Sequence, residues 1–145
     1  MSWSERGFTQ FELLMVLALV AILAAITLPR FDRIIESYKL RTDARQLAWV
    51  LRSARQEAIT TGHNQLVMLK IYQHQYEMGS TTYTLSPGIR FEGTTNFKEV
   101  GRIPACGFTP SGAPTGAGTV TLKNKYDKKI EIKVNVGAGR VRIVE

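Results

Sequence analysis

The sequence has 145 residues, with 19 Lys and Arg against 12 Asp and Glu, so its formal net charge is +7 at pH 7. This length suits one modest domain, and so basic a balance favours a polyanionic partner, such as nucleic acid or an anionic membrane surface. The single cysteine, Cys106, excludes an intrachain disulfide and any cysteine-based metal site. We expect it to be a buried free thiol in preference to a disulfide between two chains.

The first predicted element is an apolar helix near the N-terminus. Residues 13–28 are Leu, Met, Val, Ala and Ile apart from Thr27, and counted from Phe8 the segment reaches the ~20 residues that a helix needs to cross a bilayer. Gly7 precedes the run, so a cut there would leave the helix on the mature chain, unlike the cut of a secretory signal peptide. Glu12 is unusual, because a carboxylate within a membrane span costs roughly 2.5–3.5 kcal/mol and needs a partner.

A second helical pattern follows Pro29, which should kink the helix without ending it. Six apolar residues recur at alternating spacings of four and three, which places them on one helical face: Leu40, Ala44, Leu47, Leu51, Ala54 and Ala58. Gly62 is a typical helix stop, so we predict one helix from about Phe8 to Thr61. Four arginines form a stripe on another side of this helix: Arg41, Arg45, Arg52 and Arg55. The stripe has two interpretations, a solvated face or a track for phosphate groups.

From residue 65 the period of the apolar residues changes from 3.6 to two, which predicts strands. Strands are expected in the first part of this region at residues 66–72 (buried on both faces), 76–78, 81–85, 89–91 and within 97–103. Residues 104–118 are rich in Pro, Gly, Ser and Thr and are predicted to be a loop anchored by Phe108. The remaining residues alternate again at 120–122, 130–136 and 140–143, which predicts an antiparallel meander with a glycine-rich hairpin.

The first motif carries a resemblance to a known family. Residues 7–14, Gly-Phe-Thr-Gln-Phe-Glu-Leu-Leu, resemble the class III signal of type IV pilins and type II secretion pseudopilins, although Gln10 and Phe11 replace the more usual Leu-Ile. In that family a prepilin peptidase cuts after the glycine and N-methylates the next residue, which implies these roles for Gly7 and Phe8. The family's glutamate, here Glu12, is implied to neutralise the amino terminus of a neighbouring subunit during filament assembly.

The resemblance implies an α+β fold of the pilin type, with a long N-terminal helix packed against a small antiparallel β-sheet head. It divides the chain into a leader peptide at 1–7, a transmembrane and filament-core helix at 8–29, an amphipathic helix at 30–62 and a β-rich head at 63–145. The implied location is the bacterial inner membrane with an exported head, which Arg6 also favours, and then the pilus at the cell surface. The implied partners are other major and minor pilins and the prepilin peptidase.

The last motif is Gly139-Arg140-Val141-Arg142. If Val141 faces the core, Arg140 and Arg142 project onto the outer face about 6.6 Å apart, close to the spacing of neighbouring phosphates. Each guanidinium can bind phosphate oxygens with two hydrogen bonds, which lysine cannot do. Five lysines in the neighbouring strand and turn could support such binding: Lys123, Lys125, Lys128, Lys129 and Lys133.

Within the pilin class, the order of helix, strands, glycine-rich loop and closing motif is similar to the FimT/GspH group of minor pilins and minor pseudopilins. In the FimT branch a Gly-Arg-x-Arg motif is associated with DNA binding in natural transformation, which implies that role for Gly139, Arg140 and Arg142. Such binding would contact the phosphate backbone of double-stranded DNA, with little sequence preference and strong salt dependence.

Two alternatives to DNA uptake stay open. The first is a GspH-like minor pseudopilin with a structural role in type II protein secretion, and the second is a minor pilin that only primes pilus assembly. In either case Arg140 and Arg142 would serve solubility and the protection of a strand edge.

Residues that could carry out chemistry are sparse. His63 and His74 lack acidic or cysteine companions for a metal site, and no serine lies in a nucleophile-elbow pattern. The glycines at 112, 116 and 118 lack the lysine of a phosphate-binding loop. We therefore expect a non-enzyme that uses no metal and no cofactor.

Overall fold

The computed structural model describes residues 9–93, 95–137 and 139–145, and the side chains of residues 26–30 lie outside the description. The chain divides into two compact units, one up to Ile35 and one from Glu36 to Glu145. Helix α1, Gln10–Thr61, contributes to both units. The division into domains that was predicted, with boundaries at residues 29 and 62, is not tested by these two units and stays a prediction.

In the second unit, α1 buries the apolar face that the sequence predicts. Its six residues are fully buried: Leu40, Ala44, Leu47, Leu51, Ala54 and Ala58. The helix ends at Thr61, and Gly62 follows it with φ +70° and donates its N–H to the Ala58 carbonyl over 3.1 Å. A glycine in this left-handed conformation satisfies a carbonyl that the helix end would leave free, so the predicted stop is confirmed.

The described part of the chain after α1 contains nine strands in two antiparallel sheets. Their bounds are β1 Gln65–Lys70, β2 Gln75–Met78, β3 Thr81–Thr84, β4 Arg90–Phe91, β5 Glu99–Val100, β6 Ile103–Phe108, β7 Gly118–Lys123, β8 Lys129–Val134 and β9 Val141–Val144. One sheet has the order β3-β2-β1-β6-β5, and the other has the order β4-β7-β8-β9. The α+β fold with a long helix and an antiparallel β head is therefore confirmed.

The prediction of a loop over residues 104–118 was wrong at its start, because Ile103–Phe108 form β6 beside β1. Pro104 immediately precedes Ala105, where the pairing of β6 with β1 begins. The N–H that proline lacks therefore costs the β1–β6 ladder no hydrogen bond. A Cβ on Gly107 would lie 2.7 Å from both Leu66 Cδ2 and Thr115 Oγ1. The strand pairing thus accommodates the proline, and close packing requires the glycine, so neither residue makes this segment a loop. Phe108 is fully buried, as expected.

Two other strand predictions need correction. The predicted strand at 66–72 ends at Lys70, because Ile71–Gln73 form a 3-10 turn, and only Val67 and Leu69 within it are fully buried. Val136, predicted to extend the alternation of β8, lies past the end of that strand and is 61% exposed. In both places a chain reversal interrupts a pattern that continues in the sequence.

One hydrophobic core unites α1 with the inner faces of both sheets. Beside the helical residues it contains Val67, Leu69 and Tyr76 from the first sheet and Val120, Leu122, Ile130 and Ile132 from the second. Burial of each such large side chain contributes about 1.5–3 kcal/mol. Cys106 of β6 is buried in this core, as predicted, and burial raises the pKa of its thiol to about 12.

A buried carboxylate ties α1 to the connection between β3 and β4. Asp43 is only 4% exposed, and its two oxygens accept the N–H and the hydroxyl of Ser86 over 2.8 and 2.9 Å. Burial raises the pKa of Asp43, although the two hydrogen bonds from Ser86 and the charge of Lys39 act in the opposite direction. The contact fixes the turn that leads into the second sheet.

Candidate nucleic-acid interface

The C-terminal motif lies at the start of β9, which is an edge strand of the four-stranded sheet. Val141 is buried and Ile143 partly buried, whereas Arg140 and Arg142 are exposed. The carbonyl of Arg140 accepts the N–H of Asn135 over 3.2 Å, which closes the hairpin from β8. The strand alternation therefore leaves both guanidinium groups in solvent.

The glycine of the motif is a packing position. Gly139 is buried and has φ +58°, a conformation that residues with a Cβ rarely adopt. A Cβ there would lie 2.5 Å from the carbonyl oxygen of Gly112 and 2.9 Å from Nε of Arg55. Gly139 thus lets the hairpin pack against the loop after β6 and against α1, and this packing sets where Arg140 and Arg142 emerge.

The arginine stripe of α1 lies beside the same hairpin. Three of its members contact residues that follow β6. Arg41 Nη2 lies 2.8 Å from Glu145 Oε2, and Arg52 Nη2 donates to the Val141 carbonyl over 3.2 Å. Arg55 Nε donates to the Gly112 carbonyl over 3.0 Å. The fourth, Arg45, is exposed. The stripe is therefore more than a solvated face. It is also connected to the motif, because Arg52 donates its hydrogen bond to Val141, the residue between Arg140 and Arg142.

Of the five lysines, the structure brings only Lys133 next to the motif. Lys133 is the direct partner of Arg142 in the pairing of β8 with β9, and its Nζ lies 2.8 Å from Glu131 Oε2. Lys125 and Lys128 are exposed in the turn between β7 and β8.

Lys123 and Lys129 lie at the opposite end of the strands, since Lys129 precedes Lys133 by about 13 Å along β8. Lys129 Nζ lies 2.7 Å from Glu92 Oε1, and Lys123 Nζ lies 2.8 Å from Asp127 Oδ1. Hydrogen bonds from these lysines lower the pKa of Glu92 and of Asp127, and the bond to Asp127 raises the pKa of Lys123. Both carboxylates stay ionised at neutral pH, so this end of the sheet is partly neutralised.

At the other end of the chain, Gly7 and Phe8 lie outside the described residues. Glu12 is exposed and has a local partner that the sequence analysis missed: its Oε2 lies 3.4 Å from the N–H and from the hydroxyl of Thr9. The Thr9 hydroxyl in turn accepts the N–H of Glu12 over 3.3 Å. This reciprocal arrangement is a capping box, and Thr9-x-x-Glu12 is its sequence pattern.

Within the described residues, no helix meets the combination of length and apolar character that marks a candidate membrane span. The predicted span at 8–29 begins at Phe8, which lies outside the described residues, and it includes residues 26–29, whose side chains are not described, so it stays a prediction.

The profile of the family described as Type II transport protein GspH matches residues 43–139. A fimbrial protein of Pseudomonas aeruginosa is 29% identical over 86% of this chain and 82% of its own length. The type II secretion system protein H of Xanthomonas campestris pv. campestris is also 29% identical, over 94% of this chain and 82% of its own length.

Two solved structures share the fold. The minor pseudopilin EpsH of the type 2 secretion system of Vibrio cholerae has a TM-score of 0.60 at 16% identity, covering 73% of this chain and 96% of that chain. The type IV minor pilin FimU of Pseudomonas aeruginosa has a TM-score of 0.60 at 16% identity, covering 77% of this chain and 92% of that chain. Since the family profile spans more than half of the sequence, the chain belongs to the GspH family of minor pilins and minor pseudopilins.

Proposed function

We propose that this protein is a minor type IV pilin that binds double-stranded DNA through Arg140 and Arg142 during natural transformation. The observation that carries the proposal is the hydrogen bond from Arg52 to the Val141 carbonyl, which joins the helical arginine stripe to the C-terminal motif. Cationic side chains from two elements thereby converge at one sheet edge. A surface of this kind attracts a phosphate backbone without reading base sequence.

The charges around the motif support this function. Within the described part of the chain, neither Arg140 nor Arg142 forms an ion pair, so both guanidinium groups keep their donors for a ligand. The nearby carboxylates Glu131 and Glu145 are each already paired, with Lys133 and Arg41 respectively. Each free guanidinium can bind one phosphate through two parallel hydrogen bonds.

The proposal includes the steps that bring the protein to the cell surface. A prepilin peptidase would cut after Gly7 and methylate Phe8, leaving the subunit anchored in the inner membrane. Glu12 would then neutralise the amino terminus of a neighbouring pilin as the subunit enters the filament. The head, with its basic edge, would remain outside the cell envelope, where DNA can reach it.

A second candidate is a structural role in type II protein secretion as a GspH-like pseudopilin. It is favoured by the match to the type II secretion system protein H, which extends over 94% of this chain. In that function Arg140 and Arg142 would have no ligand, so removing their charge would not alter a DNA-dependent property.

The test is a titration of a short labelled DNA duplex with the full chain in non-ionic detergent, at low and at physiological salt. The charge-removal variant is Arg140→Gln/Arg142→Gln, and the matched control is Lys98→Gln/Arg102→Gln, which removes two exposed charges near β5. If the two arginines each bind a phosphate, the slope of log affinity against log salt should become shallower by about 1.8 in the motif variant.

We expect the motif variant to lose most of its duplex affinity and the control to keep it. Equal losses in the two variants would mean that net charge alone drives binding and would contradict a site at the motif. No binding by the unmodified protein would leave the secretion pseudopilin as the better assignment.

A further inference from the structure

Trp49 is an exposed aromatic residue on α1 that neither the core nor the motif explains. Its side chain is 59% exposed, and within the described residues its indole has no ring contact and no hydrogen bond. A single exposed apolar residue is common on protein surfaces, so the exposure alone indicates nothing. The residues one helical turn away distinguish Trp49 from such isolated exposed residues.

Two arginines of the stripe lie one helical turn from Trp49 on either side. Arg45 precedes it by four residues and Arg52 follows it by three, spacings at which helical side chains are neighbours, with Cβ atoms about 5–6 Å apart. The other two positions at these spacings are Gln46 and Ser53. The ring is therefore bordered along the helix by positive and neutral groups and by no carboxylate.

Both arginines keep donors for a ligand. Arg45 is exposed and forms no hydrogen bond or ion pair with the described residues. Arg52 is exposed and uses one Nη atom for the Val141 carbonyl, which leaves other N–H groups of its five. Through that bond the Trp49 surface is continuous with the edge that carries Arg140 and Arg142.

We propose that Trp49 is a base-stacking residue and that Arg45 and Arg52 bind the phosphates on either side of the stacked nucleotide. This inference rests on the proposed DNA-binding function and deepens it by naming a second form of DNA, with unpaired nucleotides, that the same surface binds. The bases of a duplex are stacked on each other, so their faces are closed to an indole. Trp49 therefore adds affinity only for unpaired nucleotides, whatever their sequence, because every base has an aromatic face.

The sequence offers a direct spectroscopic test. It contains two tryptophans, Trp3 and Trp49, so the full chain with Trp3→Phe has Trp49 as its only indole. In non-ionic detergent, a thymidine homopolymer should quench the fluorescence of this variant saturably, whereas a duplex that binds equally should quench it little.

Affinity measurements provide the second arm. Trp49→Ala should weaken binding of the homopolymer by about 5–150-fold, the range expected for one base–aromatic stack, and leave duplex affinity within about twofold. Trp49→Phe, which keeps an aromatic ring, should recover part of the loss. The matched control is Tyr72→Ala, which removes a 96% exposed aromatic ring outside the stripe and should change neither affinity.

The outcomes separate this inference from the proposed function. Unchanged homopolymer affinity in Trp49→Ala, or equal losses for homopolymer and duplex, would overturn stacking while duplex binding through Arg140 and Arg142 stands. A fluorescence change that follows protein concentration without DNA would show that a second copy of the chain covers Trp49, and would overturn it too. If neither DNA binds, the proposed function itself fails.

Discussion

Gly139 is where the hairpin, the loop after β6 and α1 come into contact. We expect Gly139→Ala to destabilise the protein by at least about 1–2 kcal/mol, because its left-handed conformation disfavours a Cβ. The Cβ would also displace the Gly112 carbonyl or Arg55. The free energy of unfolding, measured by urea denaturation, is the readout.

The matched control is Gly137→Ala in the same hairpin. Gly137 is exposed, and a Cβ built on it has no atom within 4 Å, so the substitution should change stability little. Equal effects of the two substitutions would contradict the packing role of Gly139.

At the scale of the residue, the sequence was sufficient to predict that Arg140 and Arg142 are exposed, because alternation along a strand is a local property. It could not predict why a glycine precedes them. The atoms that exclude a Cβ at Gly139 belong to Gly112 and Arg55, which are distant in the chain. The capping box at Thr9 and Glu12 was readable from its four-residue pattern and was missed.

At the scale of the element, the contact of Asp43 with Ser86 links α1 to the connection between β3 and β4, and it should give stability a measurable pH dependence. Burial raises the pKa of Asp43 in the folded protein above its ordinary value of 3.8. Such a group favours the folded state most when protonated, so its contribution is fully present below pH 3.8 and is lost as pH rises through the folded pKa.

We therefore expect Asp43→Asn to gain stability relative to the unmodified protein as pH rises from about 3.8 toward neutrality. The amide can still accept the Ser86 N–H and can donate to its hydroxyl, without a desolvated charge. Thermal unfolding followed by circular dichroism across this pH range measures the difference. Parallel curves for the two proteins would contradict a pKa shift at Asp43.

The elements that the sequence predicted are those whose patterns are local. The apolar face of α1, its end at Gly62 and the meander of β7, β8 and β9 all follow from periodicity and a glycine stop. β6 was missed because Pro104 and Gly107 are typical of loops. Their places in a strand depend on β1 and on Thr115, which no local pattern reveals.

At the scale of the whole chain, the described buried core belongs entirely to the unit Glu36–Glu145. We expect a chain that begins at Glu36 to unfold cooperatively on heating, since it keeps every core residue of α1. A chain that begins at Ala48 loses Leu40, Ala44 and Leu47 and should show no such transition. Circular dichroism melting of the two truncated chains makes the comparison, and failure of the longer one would contradict the division into units.

The family and the fold class could be predicted from the motif at residues 7–14, from the C-terminal motif and from the order of the elements. The arrangement of the candidate interface was not accessible, because the stripe on α1 could be read as a solvated face. Its relation to Arg140 and Arg142 depends on one hydrogen bond between residues 89 positions apart. A helical wheel places four arginines together but does not show what they face.

The three stripe contacts also bear on how the protein acquires its function. They join residues 57, 89 and 104 positions apart, so they form only after long loops have closed. A newly synthesised chain already has its full charge of +7, but that charge is spread along a flexible polymer. An arranged cationic surface arises only with the folded topology, so the free energy of folding also maintains the cationic edge.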